Sequence, residues 1–290
     1  MTPRFPYRGF IFDLDGTVYL GERLLPGAKG ALAALREAGR RVCFLSNKPI
    51  ASRADYAAKL TRLGVPTEVD EVINSSYVLA RWLAREAPGA RCFVIGEPPL
   101  VAELEAAGLK PVDGPQADYV VVAFDRTFDY RKLAVALQAV TRHGARLVGT
   151  NPDRTCPVED GEIPDAAGMI GAVEGVTGMR VEPIVGKPSP IMLEVALARL
   201  GLAASECAVV GDRLETDIAM GKAAGLATIL VLTGITRPGD PAIGRWRPDH
   251  VLASLDELLE DRRLSGEGEG GRPPGGGVQG GSGWDSPPAK

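Results

Sequence analysis

The chain is poor in the residue types on which several classes of protein depend. It has two histidines and four cysteines among 290 residues, so we do not expect histidine-based catalysis. The cysteines are scattered and no two have the spacing of a zinc site, which predicts reduced, mostly buried thiols. No apolar run approaches the roughly 20 residues of a membrane span, and the first ten residues lack a signal-peptide core. We therefore expect a cytoplasmic protein.

The chain also lacks a segment of concentrated positive charge. Its formal net charge is −4, with 33 basic and 37 acidic residues mixed along the sequence. This distribution predicts no nucleic-acid partner and no membrane partner. The hydrophobic fraction of 45% is ordinary for a soluble globular protein, and the length suits one large domain or two modest ones.

Short β-branched runs alternate along the chain with amphipathic helical stretches, which predicts an α/β fold with parallel sheets. Predicted strands are Phe10–Phe12, Arg41–Leu45, Cys92–Ile95, Tyr119–Ala123, Leu147–Gly149, Ala208–Val210 and Thr228–Leu232. Predicted helices are Ala28–Ala38, Ser52–Leu63, Ser75–Glu86, Leu100–Ala107, Tyr130–His143, Met169–Thr177, Pro190–Leu200, Glu215–Ala224 and Ser254–Arg262. Helix ends are predicted at Gly39, Gly64, Gly108, Gly144, Gly201 and Gly225.

Polar residues follow three of the predicted strands. They are the pentapeptide DLDGT from Asp13, the pair Ser46-Asn47, and the pair Gly211-Asp212. Reactive groups in parallel sheets gather at the carboxyl ends of the strands. The three clusters therefore predict one shared pocket.

Each cluster has residue types that suit phosphate chemistry. Asp13 and Asp15 fit a nucleophilic carboxylate with a second carboxyl group as proton donor, and Gly16 lets backbone amides approach an anion. The other candidates are Ser46 and Asn47 for phosphate oxygens, Lys187 in a turn before a helix as a phosphate charge, and Asp212 with Asp217 for a hard cation such as Mg²⁺. Taken singly, these residues also fit solvated turns, helix N-caps or helix-dipole partners; their order along the chain favours the site.

At these residues the chain resembles the haloacid dehalogenase (HAD) superfamily, and within it the class IIA phosphatases, the NagD-like and 4-nitrophenylphosphatase-like group. The resemblance runs from about Phe10 to about Asp261. It is carried by the phrases DLDGTVYLGERLLPGA, FLSNKP, GTNPDRTCPVEDGEIPDAAGM, GKPSP and GDRLETDIAMGKAAG. It implies a Rossmann-like HAD core with a parallel sheet plus an inserted α/β cap domain of the C2 type.

The resemblance also implies a role for each matching residue. Asp13 would form an aspartyl-phosphate, and Asp15 would protonate the leaving oxygen and then activate water. Mg²⁺ would sit on Asp13, the Asp15 main-chain carbonyl and Asp212, supported by Asp217. The phosphoryl oxygens would be held by Ser46, the amides of Gly16 and Asn47, and Lys187. An acid at position 15 separates phosphatases and phosphomutases from the dehalogenases and P-type ATPases of the superfamily.

The long connection between Ser46 and Lys187 exceeds a simple βα link, and we interpret it as the cap. Predicted limits are residues 1–85 and 183–263 for the core, 86–182 for the cap, and 264–290 for a disordered Gly/Pro-rich tail. Trp284 in the tail is a docking anchor or an incidental exposed residue. Cap candidates for substrate contact are Asn151, Asp153 and Asp165, although Asn151 and Asp153 also fit a turn. The segment PDAAG departs from the glycine-rich family pattern, which favours the sugar-phosphatase branch.

The sequence therefore predicts a Mg²⁺-dependent phosphatase of small phosphorylated metabolites, with sugar phosphates first and p-nitrophenyl phosphate as an artificial substrate. Phosphoglycolate, glycerol phosphate, pyridoxal phosphate and nucleoside monophosphates are alternative substrates. A catalytically silent phosphometabolite-binding protein is the alternative of another class, and transfer to an acceptor other than water is a third. By analogy with class IIA relatives, a homodimer through the cap is possible.

Overall fold

The structure, a computed structural model, describes residues 2–158 and 161–260. The predicted disordered tail with Trp284 lies outside the described residues. Within them the strands are β1 Gly9–Asp13, β2 Tyr19–Leu20, β3 Arg23–Leu24, β4 Arg41–Ser46, β5 Val72–Asn74, β6 Arg91–Ile95, β7 Lys110–Val112, β8 Tyr119–Val122, β9 Arg146–Gly149, β10 Thr155–Val158, β11 Gly161–Pro164, β12 Cys207–Gly211, β13 Ala227–Val231 and β14 His250–Leu252. The α-helices are α1 Ala28–Glu37, α2 Arg53–Arg62, α3 Ser75–Glu86, α4 Pro98–Ala106, α5 Tyr130–His143, α6 Ala166–Thr177, α7 Pro190–Leu200, α8 Ala219–Ala223 and α9 Ala242–Trp246.

Six strands form one sheet in the order β14-β13-β12-β1-β4-β5, and every neighbouring pair is parallel. In its central strand β1, Phe12 lies opposite Val210 of β12 and Asp13 lies opposite Leu45 of β4. This register brings the carboxyl ends of β1, β4 and β12 to one level at the middle of the sheet. The three predicted polar clusters follow these three strands.

Both faces of this sheet are buried, which explains why its strands are almost continuously apolar. Successive side chains of β1 alternate between the faces. Phe10 and Phe12 pack in one apolar cluster with Leu32 of α1, whereas Ile11 packs in another with Met192 of α7. Helices thus cover the sheet on both sides, and its carboxyl edge carries the polar groups.

A second parallel sheet has the order β7-β6-β8-β9, and β10 and β11 form an antiparallel hairpin. This second sheet, which lies between β5 and β12 in the sequence, confirms the predicted α/β cap inserted into a Rossmann-like core. Val121 of β8 shares the apolar cluster of Ile11, and the described residues to Glu260 form one compact unit. The predicted cap limits at residues 86 and 182 stay a prediction; α3 ends at Glu86 and β6 begins at Arg91.

The chain leaves the second sheet alongside β9. The amide of Glu182 donates to the Leu147 carbonyl at 3.2 Å, and the amide of Gly149 donates to the Pro183 carbonyl at 3.0 Å. The amide of Gly186 then donates to the Thr150 carbonyl at 2.7 Å. The turn that carries Lys187 is therefore hydrogen-bonded to the end of the cap sheet before α7 begins.

All six glycines predicted to end helices have a left-handed backbone, with φ between 58° and 96°. One helix prediction is wrong, and another is confirmed with a first turn of a different type. In place of the predicted helix Ser254–Arg262, the described residues form a 3₁₀ turn at Leu255–Leu258, whose two buried leucines are three residues apart and so lie on one side of the turn; residues 261 and 262 lie outside the described residues. Glu215–Ala224 begins as a π-helical turn at Leu214–Ile218 before α8. The strands that prediction missed are only two to four residues long.

Among the described residues, no helix combines the length and apolar character needed to cross a membrane.

Candidate active site

The carboxyl edge of the six-stranded sheet opens into a cavity of about 1020 Å³. All the predicted core residues line it, namely Asp13, Asp15, Gly16, Ser46, Asn47, Lys187, Asp212 and Asp217. Asp13 and Ser46 are the last residues of β1 and β4, and Asp212 directly follows β12. The sheet register thus brings together residues that are up to 204 positions apart in the sequence, from Asp13 to Asp217.

Lys187 lies at the centre of the buried charges. Its ammonium donates to Asp13 Oδ1, and to Asp217 Oδ1 at 2.8 Å. Burial raises the pKa of Asp13 well above its usual value, although Lys187 opposes the shift. Burial alone would lower the pKa of Lys187, yet Asp13 and Asp217 raise it. The lysine therefore stays charged among the carboxylates.

Asp212 completes a group of three buried acids. Its Oδ2 accepts from the Ile235 amide at 2.6 Å, while burial and the nearby Asp217 raise its pKa to about 6. One carboxylate oxygen from each of Asp13, Asp212 and Asp217 lies within 4.8 Å of the others. Thr216 lines the same cavity, and within the described part of the chain its hydroxyl is buried without a hydrogen-bond partner. Hard carboxylate oxygens and an unsatisfied hydroxyl fit a Mg²⁺ ion that keeps some of its water.

Three glycines allow these acids to lie so close to the backbone. A Cβ at Gly211 would lie 2.3 Å from Asp217 Cγ, and one at Gly234 would lie 1.9 Å from Asp212 Oδ2. Gly16 has a φ of 87°, and its Cβ would meet Asp212 Oδ2 at 2.6 Å. Any larger residue at these positions would displace a carboxylate.

The backbone amide of Gly16 donates to the Tyr19 carbonyl at 2.9 Å. The Gly16 carbonyl in turn accepts from Thr233 Oγ1 at 2.7 Å. The amide predicted to hold a phosphoryl oxygen thus already has an acceptor inside its own turn. Phosphate binding by this amide stays a prediction, and the structure adds a steric role for Gly16 beside Asp212.

The segment Ser46-Asn47-Lys48 has three different environments. The buried Ser46 hydroxyl faces the cavity and accepts from the Lys48 amide at 3.2 Å. The Asn47 side chain accepts from the Lys187 amide at 2.8 Å and donates to the Lys187 carbonyl at 3.1 Å. Lys48 Nζ donates to Asp15 Oδ1 at 2.9 Å, and Asp15 raises the pKa of Lys48 although burial opposes the shift.

The cap contributes Asp153 and Asp165 to the cavity lining. The fully buried Asn151 connects them, because its Nδ2 lies 3.0 Å from both Asp153 Oδ2 and Asp165 Oδ1. Asp165 also caps α6 by accepting from the Ala166 amide at 2.6 Å, and burial raises its pKa. Of the three cap candidates, the structure therefore brings two carboxylates to the cavity and places the amide behind them.

Four residues of this site were not predicted from the sequence, and one of them is Thr216, which lies within GDRLETD. Lys48 and Arg213 each follow a predicted site residue directly, within FLSNKP and GDRLETD. The sequence alone does not show whether such a charged side chain points into the site or into solvent. Arg213 Nη1 lies 3.5 Å from Asp153 Oδ1. Gly234 follows β13, and only its position after a strand of the same sheet could have indicated it. All four cysteines are buried thiols, as predicted.

Comparisons with known proteins agree with this geometry. A haloacid dehalogenase-like hydrolase family model matches residues 10–110, and a second HAD-hydrolase-like model matches residues 184–258. The sugar-phosphatase AraL of Bacillus subtilis is 42% identical over 260 residues, which are 89% of this chain and 94% of the relative.

Solved structures give the same result. The p-nitrophenyl phosphatase from Archaeoglobus fulgidus superposes with a TM-score of 0.82 at 39% identity, over 87% of this chain and 98% of that one. A glycerol phosphate phosphatase from Mycobacterium tuberculosis, solved in complex with magnesium, gives a TM-score of 0.79 at 35% identity, over 89% of this chain and 78% of that one. The chain belongs to the haloacid dehalogenase-like hydrolases, in their NagD-like phosphatase group.

Proposed function

We propose that this phosphatase uses Asp13 as its nucleophile and depends on Mg²⁺. The observation that carries the proposal is the buried group of Asp13, Asp212 and Asp217 around the Lys187 ammonium. Phosphoryl transfer requires a positioned nucleophile and neutralisation of charge on the transferred group. A surface turn or helix cap requires neither, and would not need three acids to be buried together.

The proposed reaction has two steps, each with its proton accounted for. An oxygen of Asp13 attacks phosphorus, the bond from phosphorus to the ester oxygen breaks, and Asp15 gives its proton to that leaving oxygen. Asp15 then removes a proton from water, the water oxygen attacks phosphorus, and the bond to Asp13 breaks. Inorganic phosphate leaves and Asp13 returns to its starting state.

Asp13, the Asp15 main-chain carbonyl and Asp212 would hold the Mg²⁺, with Asp217 beside them. When bound, the ion supplies Lewis-acid neutralisation of the phosphoryl oxygens. Lys187 and the Ser46 hydroxyl would meet the remaining oxygens, since both line the cavity. Lys48 holds the Asp15 carboxylate at 2.9 Å from its ammonium, which restricts the direction in which Asp15 presents its proton.

We further propose that the substrates are small phosphorylated metabolites, with sugar phosphates first. The sugar-phosphatase relative covers nearly the whole chain, and the cavity adds the polar side chains of Asp165 and Glu22 to the phosphate site. Such groups can bind sugar hydroxyls. Glycerol phosphate, phosphoglycolate, pyridoxal phosphate and nucleoside monophosphates belong in the same test. Four buried thiols fit a reducing compartment such as the cytoplasm.

The decisive experiment measures phosphate release from a panel of metabolite monoesters, with and without Mg²⁺, for the wild type and Asp13→Asn. We expect metal-dependent turnover that the substitution abolishes, with kcat/KM ranking the substrates. Turnover that survives Asp13→Asn would refute the nucleophile assignment. Tight binding of phosphate esters without turnover would favour the silent binding protein instead.

A further inference from the structure

The carboxylate of Asp153 receives hydrogen-bond donors from both parts of the fold. Asn47 Nδ2, from the core, donates to Asp153 Oδ2 at 2.9 Å, and Asn151 Nδ2, from the cap, donates to the same oxygen at 3.0 Å. Arg213 Nη1, from the core, lies 3.5 Å from Oδ1. The side chain is 14% exposed. Both carboxylate oxygens thus already have protein partners.

Asn47 links Asp153 to the turn that carries Lys187. While its Nδ2 donates to Asp153, its Oδ1 accepts from the Lys187 amide at 2.8 Å and its Nδ2 also lies 3.1 Å from the Lys187 carbonyl. The packing leaves little freedom, because a Cβ at Gly186 would lie only 2.7 Å from Asn47 Oδ1. A rotation of the Asn47 amide would therefore move the backbone of Lys187.

A second connection runs in parallel through the backbone. The Gly186 amide donates to the Thr150 carbonyl at 2.7 Å, three residues before Asp153. The same short stretch of the cap thus holds the Lys187 turn through one backbone bond and one side-chain relay. Together they hold the backbone of the Lys187 turn, from which the side chain reaches Asp13 and Asp217.

We propose that Asp153 is a positioning residue that couples the cap to Lys187, and that it does not contact the leaving group of the substrate. The proposal rests on the proposed function in one respect, because Lys187 must serve the phosphoryl group for the coupling to affect turnover. A residue that contacts the leaving group sorts substrates by that group. A residue that positions Lys187 acts on the part that all phosphate esters share.

The kinetic test compares Asp153→Asn with Asp113→Asn, an exposed acid of the cap that undergoes the same chemical change. Substrates are acetyl phosphate, which has a very small leaving group, p-nitrophenyl phosphate and a hexose phosphate. We expect Asp153→Asn to lower kcat/KM by a similar factor for all three, about 10- to 100-fold, as misplacement of a catalytic group does. The Asp113 control should match the wild type. A loss confined to the hexose phosphate would overturn the proposal.

A double-mutant cycle tests the relay itself. If Asp153 acts through Asn47, Asn47→Ala and Asp153→Ala should be strongly non-additive, and the double variant should lose little more activity than the worse single one. Additive losses would show that the two side chains act separately, and would overturn the coupling.

Hydrogen exchange tests the coupling without any turnover. We expect Asp153→Asn to speed exchange in peptides that cover residues 184–189, while peptides from β12 stay as protected as in the wild type. Unchanged exchange at residues 184–189 would refute the coupling. If the wild type released no phosphate from any ester, the proposed function would fail, and the exchange data would still decide whether Asp153 holds the Lys187 turn.

Discussion

The core edge and the cap segment both line the cavity, but different interactions hold their polar groups. In the core, the three buried carboxylates of Asp13, Asp212 and Asp217 surround the single ammonium of Lys187. In the cap, Asp153 and Asp165 accept hydrogen bonds from the amides of neighbouring residues. The core cluster has more negative than positive charge, whereas the cap carboxylates are satisfied by donors.

This difference separates two tasks. Buried charges of one sign cost free energy unless a counter-charge arrives, so the core is suited to a cation and to chemistry on an anion. A satisfied hydrogen-bond network defines geometry, so the cap is suited to positioning and to selection of the leaving group. Substitutions in the core should therefore change turnover, metal affinity and pH dependence, and substitutions in the cap should change geometry and selectivity.

The largest effect is expected from Lys187→Met, which removes the only ammonium that contacts both Asp13 and Asp217 among the described residues. Loss of one electrostatic contact to the transition state typically costs about 10²–10³-fold in kcat. We expect a fall of that size for p-nitrophenyl phosphate and the hexose phosphate alike, because both share the phosphoryl group. Steady-state kinetics measures it, with Lys110→Met, an exposed lysine of β7, as the matched control. Retention of more than about a tenth of the activity would contradict the role of Lys187.

The next effect is expected from Gly234→Ala, whose Cβ would lie 1.9 Å from Asp212 Oδ2. The carboxylate must move, and Asp212 is a proposed Mg²⁺ ligand; disturbing groups around a metal ligand typically lowers metal affinity by about 10–100-fold. Titration of activity and of Tm with Mg²⁺ measures this loss. The control is Gly244→Ala in α9, where the described structure places nothing within 4 Å of the new Cβ. Equal Mg²⁺ requirements for the two variants would disprove the steric role of Gly234.

The core and the cap also differ in how far the sequence predicts them. The core residues were predictable because each follows a strand of one parallel sheet, and the sheet register alone brings Asp13, Ser46 and Asp212 together. The partners of Asp153 were not predictable, because they depend on how a hairpin folds back over another sheet. Two local features were not predictable either. They are the hydrogen bond from the Gly16 amide to the Tyr19 carbonyl and the π-helical turn that contains Asp217. The spacing of residues along the chain does not reveal such backbone geometry.

A smaller effect, on stability, follows from the pKa of Asp212. Its folded value of about 6 exceeds the ordinary 3.8, so the folded state favours the protonated acid. This stabilisation is fully present below about pH 4 and is lost as pH rises through 6. In metal-free protein, Asp212→Asn should therefore be more stable than the wild type at pH 8, by at most about 3 kcal/mol, and the gap should close by pH 4.

Thermal unfolding with a chelator at pH 4, 6 and 8 measures this gap. Mg²⁺ supplies the control, because it should raise the Tm of the wild type at pH 8 and have less effect on Asp212→Asn. A variant that is less stable than the wild type at every pH would show that ionised Asp212 does not destabilise the metal-free fold. The proposed excess of negative charge in the core, as opposed to the cap, would then be wrong.

The smallest effect is expected from Asp165→Asn in the cap. Asparagine is an equally good N-cap for α6, so Tm should stay within error of the wild type. The lost charge weakens hydrogen bonds to sugar hydroxyls, and a bond to a charged group is worth about 1.5–3 kcal/mol. We therefore expect KM for a hexose phosphate to rise about tenfold or more, while the constants for p-nitrophenyl phosphate, which has no hydroxyls, stay close to wild type. An equal loss for both substrates would place Asp165 with Asp153 in the positioning network, because only a residue that acts through the phosphoryl site can affect esters without regard to their leaving groups.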